Sequence, residues 1–137
     1  MGRPQLIAVD THAFISWVTG QADRLSLAGK RALDGELQGG KVFVSSITAW
    51  EIATLVARGR IELTTDPRQR LATAGRIGPV EFVPIDNEIA VRSTQLGDMF
   101  HKDPADRSIV ATCMKLGVPL VTADDKIRRY PHIATIW

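Results

Sequence analysis

Residues 101–113 read HKDPADRSIVATC and set two carboxylates three positions apart where a helix is predicted to begin. Asp103 can cap the free amides of the first helical turn, and Pro104 suits the first helical position because it has no N–H to leave unpaired. Asp106 then falls at the third helical position, near the positive end of the helix dipole. This stretch alone indicates a capped helix, so a functional role requires that other acids reach the same place.

The composition is that of one globular domain. The chain has 137 residues, of which 45% are hydrophobic and 23% charged, so we expect a single domain spanning residues 1–137. Its one cysteine, Cys113, cannot form an internal disulfide or a cysteine-based metal site. Because this usage is typical of a reducing compartment and residues 1–10 lack the apolar core of a signal peptide, we expect a cytoplasmic protein without a membrane segment.

Short apolar runs alternate along the chain with segments of helical periodicity. The runs predict strands at residues 6–9, 42–45, 80–83, 118–122 and 133–136. Helices are predicted at about 12–18, 27–37, 47–58, 67–75, 87–96, 104–116 and 124–129, and Ser46 is the predicted N-cap of the third. This alternation predicts an α/β fold, a three-layer α/β/α sandwich with a mostly parallel central sheet.

Four acids are predicted to meet at one edge of this sheet. Asp10 directly follows the first predicted strand, and Asp124 follows the fourth. Glu51 lies about one and a half turns into the helix after the second strand, and Asp106 lies in the first turn of the helix before the fourth. Since ligands of parallel sheets bind beyond the carboxyl ends of the strands, these acids can converge on one site.

Each acid also has a structural interpretation. Asp10 could cap the helix that begins near residue 12, and Asp124 or Asp125 could cap the last helix. Glu51 is harder to explain in this way, because no residue three or four positions away is basic and its helix face is apolar. A buried carboxylate is costly unless a cation compensates it, and hard divalent ions such as Mg²⁺ or Mn²⁺ suit a cluster of carboxylates. Magnesium in turn usually acts on phosphates.

Four segments carry a resemblance to a known family: residues 8–18 (AVDTHAFISWV), 44–63 (VSSITAWEIATLVARGRIEL), 101–113 and 119–131 (PLVTADDKIRRYP). In this order and spacing they resemble the PIN-domain family, above all the VapC-type ribonuclease toxins of bacterial toxin–antitoxin pairs. The resemblance covers nearly the whole chain. It implies a single PIN-like nuclease domain over residues 1–137 whose acidic cluster binds Mg²⁺ or Mn²⁺ and hydrolyses RNA.

The resemblance also assigns roles to individual residues. The four acids of the family fall on Asp10, Glu51, Asp106 and Asp124. Its small hydroxyl residues near the site fall on Thr11 and Ser46. A metal held by Asp10, Asp106 and Asp124 would activate a water molecule and neutralise charge on the phosphate. Glu51 is then either a further ligand or the residue that holds the attacking water, and the number of ions stays open.

A phosphate polymer requires positive charge on the protein. Without the four site acids, 11 acidic residues remain against 17 Lys and Arg, which is an excess of about six positive charges. The basic residues close in sequence to the site acids are the candidates for substrate binding: Lys102, Arg107, Lys126 and Arg128. As alternatives, Arg107 could pair with a site acid and the others could form a solvated face.

Partners follow from the resemblance and from the apolar surface. The family implies a VapB-type antitoxin whose tail lies in the active-site groove and can bring an Arg to the acids. The helices between residues 12 and 58 carry more large apolar side chains than a small monomer needs, including Trp17 and Trp50, so we expect a homodimer. A catalytically silent PIN-like interaction module is the competing interpretation. An aspartyl phosphotransferase is disfavoured, because it would need an acid where His12 stands.

Overall fold

The computed structural model of the protein describes residues 6–35, 39–61, 66–97 and 103–137. Its strands are β1 (Leu6–Val9), β2 (Lys41–Ser45), β3 (Val80–Val83), β4 (Leu120–Val121) and β5 (Thr135–Ile136). Its α-helices are α1 (Thr11–Val18), α2 (Leu27–Gly35), α3 (Ser46–Ala57), α4 (Pro67–Ala74), α5 (Asn87–Ser93), α6 (Pro104–Leu116) and α7 (Asp125–Arg128), and a 3₁₀ helix spans Ala22–Arg24.

The described strands form one parallel sheet with the order β3-β2-β1-β4-β5. In the central strand, Val9 pairs with Val44 on one side and with Val121 on the other. The chain moves outward from β1 through β2 and β3 and then crosses to β4, so the carboxyl ends of β1 and β4 flank the point where the strand order reverses. Asp10 and Thr122 follow these two strands directly.

The two faces of the sheet are covered by separate apolar clusters. Because successive strand side chains point to opposite faces, Ile7 and Val9 belong to one cluster with Phe14 of α1, whereas Ala8 belongs to the other with Ile109 of α6. Helix α3 contributes to both, since Ile52 is part of the first cluster and Ile47 packs against the second. The predicted three-layer α/β/α sandwich is therefore confirmed, with a sheet that is parallel throughout the described strands.

Several boundaries differ from the predicted ones. Ser45, rather than Ser46, is the N-cap of α3, and its hydroxyl oxygen accepts a hydrogen bond of 3.2 Å from the amide of Ile47. Helix α5 ends at Ser93 instead of residue 96. There the chain leaves the helix so that Leu96 can enter the second cluster, and the Leu96 carbonyl accepts a 2.9 Å hydrogen bond from the Tyr130 hydroxyl.

Strands β4 and β5 are each two residues long, shorter than the apolar runs that predicted them. The predicted end of the helix at 27–37 lies outside the described residues. Gly117 ends α6 in the left-handed conformation, with φ 66°, as expected for a glycine after the last helical turn. None of the helices within the described ranges is long and apolar enough to cross a membrane.

Candidate active site

Asp10 combines the capping role and the predicted site position. Its Oδ1 accepts a hydrogen bond of 2.9 Å from the amide of Ala13 and so caps α1. Its Oδ2 accepts a hydrogen bond from the hydroxyl of Thr122. The carboxyl group is buried, and this burial raises its pKa even though both hydrogen bonds act in the opposite direction.

Thr122 connects the two acids that follow β1 and β4. Its side chain is fully buried, and its oxygen accepts a 3.1 Å hydrogen bond from the amide of Asp124 while its hydrogen goes to Asp10. Asp124 in turn caps α7, because its Oδ1 accepts from the amides of Lys126 at 2.8 Å and Ile127 at 3.2 Å. Its Oδ2 accepts no hydrogen bond from the residues that the structure describes.

Glu51 is held by a pair of buried threonines. The Thr11 hydroxyl donates to Glu51 Oε1 at 2.5 Å, and Thr11 Oγ1 lies 2.9 Å from Thr48 Oγ1. A hydroxyl has a single hydrogen, so Thr11 must accept from Thr48 when it donates to an ionised Glu51. The result is a directed chain in which Thr48 orients Thr11 and Thr11 orients Glu51. The prediction that Thr11 belongs to the site agrees with this position.

Asp106 lies in the field of the other acids. Asp103 caps α6, accepting from the amides of Ala105 at 2.9 Å and Asp106 at 3.1 Å. The pKa of Asp106 is raised to about 7. Burial is the largest cause, followed by the charges of Asp103, Asp124, Glu51 and Asp10. A carboxylate that only stabilised the helix dipole would have its charged form favoured. The shift in the opposite direction has two causes, first the burial of Asp106 and second the like charges around it.

All four acids line one cleft of about 1060 Å³ at the carboxyl edge of the sheet. Asp103 and Asp125 line it as well. Among the described residues, the Lys and Arg side chains that line it are Arg24, Arg60 and Lys126. The cleft therefore joins Asp10, Glu51, Asp106 and Asp124 as the sequence predicted, across more than a hundred residues of chain.

The predicted substrate-binding residues are only partly at this cleft. Thr11 and Lys126 line it, whereas Lys102 lies outside the described residues. Arg107 Nη1 donates a 3.3 Å hydrogen bond to the carbonyl of Ser93 and so ties α6 to the end of α5. Arg128 pairs with Asp125 at 3.6 Å. The structure does not bring Arg107, Arg128 or Ser46 to the lining of the cleft.

The donors at the cleft fit a hard divalent cation. They are carboxylate oxygens, and a cation would offset both causes that raise the pKa of Asp106, its burial and the repulsion from neighbouring acids. Within the described ranges, no three His, Cys, Asp or Glu side chains form a closed metal-binding group.

Four residues at this site were not among the predicted ones. The Thr122 hydroxyl bonds the predicted acid Asp10, and the Thr48 hydroxyl bonds Thr11, the neighbour of Glu51. The sequence signal for Thr122 was its place between a strand and Asp124. Arg24 and Arg60 line the cleft but are distant in sequence from every predicted acid except Glu51. Their position depends on how α1 and α3 pack.

Comparisons with known proteins agree with this architecture. Residues 7–133 match the PIN domain family. Ribonuclease VapC22 of Mycobacterium tuberculosis is 31% identical over 133 residues, which are 96% of this chain and 98% of that protein.

Solved structures show the same fold. The complex of VapBC2 from Rickettsia felis with a promoter DNA fragment matches with a TM-score of 0.71 at 14% identity, over 96% of this chain and 97% of that one. VapC20 of Mycobacterium tuberculosis, described as a sarcin–ricin loop cleaving toxin, matches with a TM-score of 0.60 at 18% identity, over 93% and 98%. By the match over residues 7–133 and the relative that spans nearly its whole length, the chain belongs to the PIN domain family.

Proposed function

We propose that this protein is a metal-dependent endoribonuclease, the toxin of a toxin–antitoxin pair. One observation of the structure carries the proposal: four acids from separate parts of the chain, Asp10, Glu51, Asp106 and Asp124, line one cleft. The relative named Ribonuclease VapC22 supports RNA as the substrate. The family resemblance supports Mg²⁺ or Mn²⁺ as the cofactor.

In this proposal Asp10, Asp106 and Asp124 hold the ion, and Glu51 orients the attacking water. The bound ion would lower the pKa of a water molecule and neutralise charge on the phosphate. Asp10 is fixed in orientation by Ala13 and Thr122, and Glu51 by Thr11. These hydrogen bonds place the carboxylates before substrate arrives, which avoids reorganisation during the reaction. No side-chain nucleophile is required.

The test is RNA cleavage by the purified protein with Mg²⁺ or Mn²⁺, with EDTA, and with two matched variants. Asp106→Asn should lose activity by orders of magnitude. Asp125→Asn removes the same charge from another acid of the cleft that the family motif does not include, and it should remain active. Cleavage that persists in excess chelator would refute the metal mechanism. Equal activity of both variants would remove Asp106 from the site.

The structural neighbours support a VapB-type antitoxin as the partner, since several of them are described as VapBC or toxin–antitoxin complexes. Expression of this chain alone should then arrest bacterial growth, and co-expression with the cognate antitoxin should restore it. The competing interpretation is a catalytically silent PIN-like interaction module. Such a module would leave RNA intact and would be indifferent to chelator, so the cleavage assay separates the two.

We also propose that the protein is a homodimer. Trp50 supports this, because its side chain is 62% exposed on the surface of α3. Tryptophan is enriched at protein interfaces, where its apolar ring is buried and its N–H can find a partner.

A further inference from the structure

The cleft extends well beyond the four acids. On α1 it is lined by Thr11, Ile15 and Ser16, and on α3 by Glu51 and Leu55. It thus follows both helices away from the carboxyl edge of the sheet. From Glu51 to the last residue of α3 the axial distance is about 9 Å, at 1.5 Å per residue. A nucleic acid strand advances about 3.4 Å per nucleotide in a duplex, so the cleft is longer than one nucleotide.

Two arginines stand at the end of the cleft where these helices stop. Arg24 is the last residue of the 3₁₀ helix that follows α1, and Arg60 comes three residues after the end of α3. Both side chains are exposed. Neither forms an ion pair with an acid among the residues that the structure describes. Their charges are therefore available to a ligand in the cleft.

The backbone holds both arginines in defined places. Gly59 has φ +68°, and the amides of Gly59 and Arg60 donate to the carbonyls of Val56 at 3.0 Å and Leu55 at 2.9 Å. This is the Schellman arrangement that ends a helix, and it fixes where Arg60 leaves α3. The amide of Arg24 donates to the Gln21 carbonyl at 2.9 Å. Arg24 also borders a second, largely apolar cavity of about 430 Å³, and its aliphatic stem can pack against the apolar residues that line this cavity.

The charges of the cleft explain why such residues are needed. Within the part of the chain that the structure describes, six acids line it, against Arg24, Arg60 and Lys126. An ion at the acidic end would offset repulsion only near the bond that is cut. A polyanion extending past that point needs cations further along, and arginine binds phosphate through paired N–H donors.

We propose that Arg24 and Arg60 form a phosphate-binding subsite for the RNA strand, at least one nucleotide away from the bond that is cut. This inference rests on the proposed function, because it assumes that RNA occupies the cleft. The subsite positions the strand and takes no part in the chemical step. It therefore contributes to binding and to the salt dependence of binding, with little effect on the turnover of bound substrate.

The experiment compares Arg24→Gln, Arg60→Gln and Arg58→Gln. Arg58 is the matched control: it is an exposed arginine of the same turn as Arg60 that does not line the cleft, and its substitution removes the same charge. Cleavage of RNA is measured with Mn²⁺ over a range of salt concentrations. Binding of labelled oligouridylate is measured separately in an Asp106→Asn background.

We expect Arg24→Gln and Arg60→Gln to raise KM and the oligouridylate Kd roughly 10-fold each, as for the loss of one charge-assisted hydrogen bond, with kcat within about 2-fold. The slope of log affinity against log salt should fall by about 0.7 for each variant, which is the value for one phosphate contact of a single strand. Arg58→Gln should resemble the wild type in KM and kcat.

Two results would overturn the inference while leaving the proposed function intact. In the first, the wild type cleaves RNA but all three variants behave alike. In the second, RNA binding is unchanged and only inhibition by the cognate antitoxin weakens in Arg24→Gln and Arg60→Gln, which would assign the arginines to a protein partner. A wild type that cleaves no RNA with any divalent ion would instead refute the proposed function itself.

Discussion

The hydroxyl of Thr11 donates a hydrogen bond of 2.5 Å to Glu51 across 40 residues of sequence. Thr11 begins α1 and Glu51 lies in the middle of α3, so this bond joins the two helices that form the walls of the cleft. Thr11 can hold this orientation because Thr48, fully buried one turn before Glu51, supplies its hydrogen to Thr11. Thr48 therefore orients Glu51 through Thr11, although Thr48 itself does not line the cleft.

Substitution of Thr48 tests this arrangement. Thr48→Val keeps the shape of the side chain but removes the hydrogen that Thr11 accepts, so we expect kcat to fall roughly 3- to 10-fold, the equivalent of one net hydrogen bond, with KM unchanged. Thr48→Ser should restore activity. Thr112→Val is the control, because Thr112 is also buried and its hydroxyl donates to the Ser108 carbonyl of its own helix, with no other hydrogen bond among the described residues.

A merely structural role for Thr48 would give a different result. Thr48→Val and Thr112→Val would then lose similar stability, and activity would fall in neither or in both. Steady-state kinetics and thermal unfolding of the two variants separate these cases.

Thr122 should influence the pH dependence of activity. Its hydroxyl lowers the pKa of Asp10 against the effect of burial. Thr122→Val removes that donor, so the pKa of Asp10 should rise further, and a larger share of Asp10 should be protonated at a given pH. Since a metal ligand must be deprotonated, the acidic limb of the pH–rate profile should move to higher pH, whereas Thr122→Ser should keep it in place. An unshifted profile in the valine variant would separate Asp10 from metal binding.

The metal-free protein should lose stability as pH rises toward neutrality. Asp106 has a pKa of about 7 in the folded chain against 3.8 as its ordinary value, so between these pH values the folded state binds more protons than the unfolded state. The stability that this proton uptake contributes is complete below about pH 4 and is lost as pH rises through 7. Burial of Asp10 acts in the same direction.

Denaturant unfolding in EDTA at a series of pH values measures this loss. Asp106→Asn cannot titrate, so its free energy of unfolding should fall less steeply over the same range than that of the wild type. Parallel curves for the two proteins would show that the surroundings of Asp106 do not disfavour its charged form.

Strand ends and a general rule about parallel sheets were sufficient to predict the acidic cluster. Asp10 and Asp124 follow apolar runs directly, and β1 and β4 turned out to be neighbours, so their carboxyl ends meet. The capping roles of Asp10, Asp103 and Asp124 were predicted as alternatives to function. For Asp10 and Asp124 capping is compatible with the proposed role, because one oxygen caps a helix while the carboxyl group also borders the cleft.

The basic residues could not be found in the same way. Arg107 and Arg128 were predicted because they are close in sequence to the acids. In the structure the side chain of Arg107 reaches the end of α5, and that of Arg128 pairs with Asp125. Arg24 and Arg60 reach the cleft because α1 and α3 lie side by side along it. The roles of Thr48 and Thr122 likewise depend on contacts over 37 and 112 residues, which no local pattern contains.

The proposed homodimer should depend on Trp50. The indole N–H of Trp17 already donates to Asp34 at 3.2 Å within the chain, whereas Trp50 is 62% exposed. Trp50→Glu should therefore convert a dimer into monomer in light scattering at micromolar concentration. Val91→Glu is the control, because Val91 is 56% exposed on α5, outside the helices between residues 12 and 58, and its substitution makes the same kind of surface change. A wild type that is monomeric at this concentration would contradict the prediction.

The last prediction separates metal binding from helix capping at Asp106. If the carboxylate only stabilises the helix dipole, Asp106→Asn should cost about 0.3 to 1 kcal/mol and leave cleavage intact. If Asp106 is a metal ligand among repelling acids, the metal-free variant should be as stable as the wild type or more stable, because one like charge has been removed. The wild type should then gain about 2.7 kcal/mol at a Mn²⁺ concentration 100 times its Kd, and the variant much less. Thermal unfolding of both proteins with and without Mn²⁺, beside RNA cleavage, gives the answer, and an active variant with an undiminished shift would return Asp106 to a capping role.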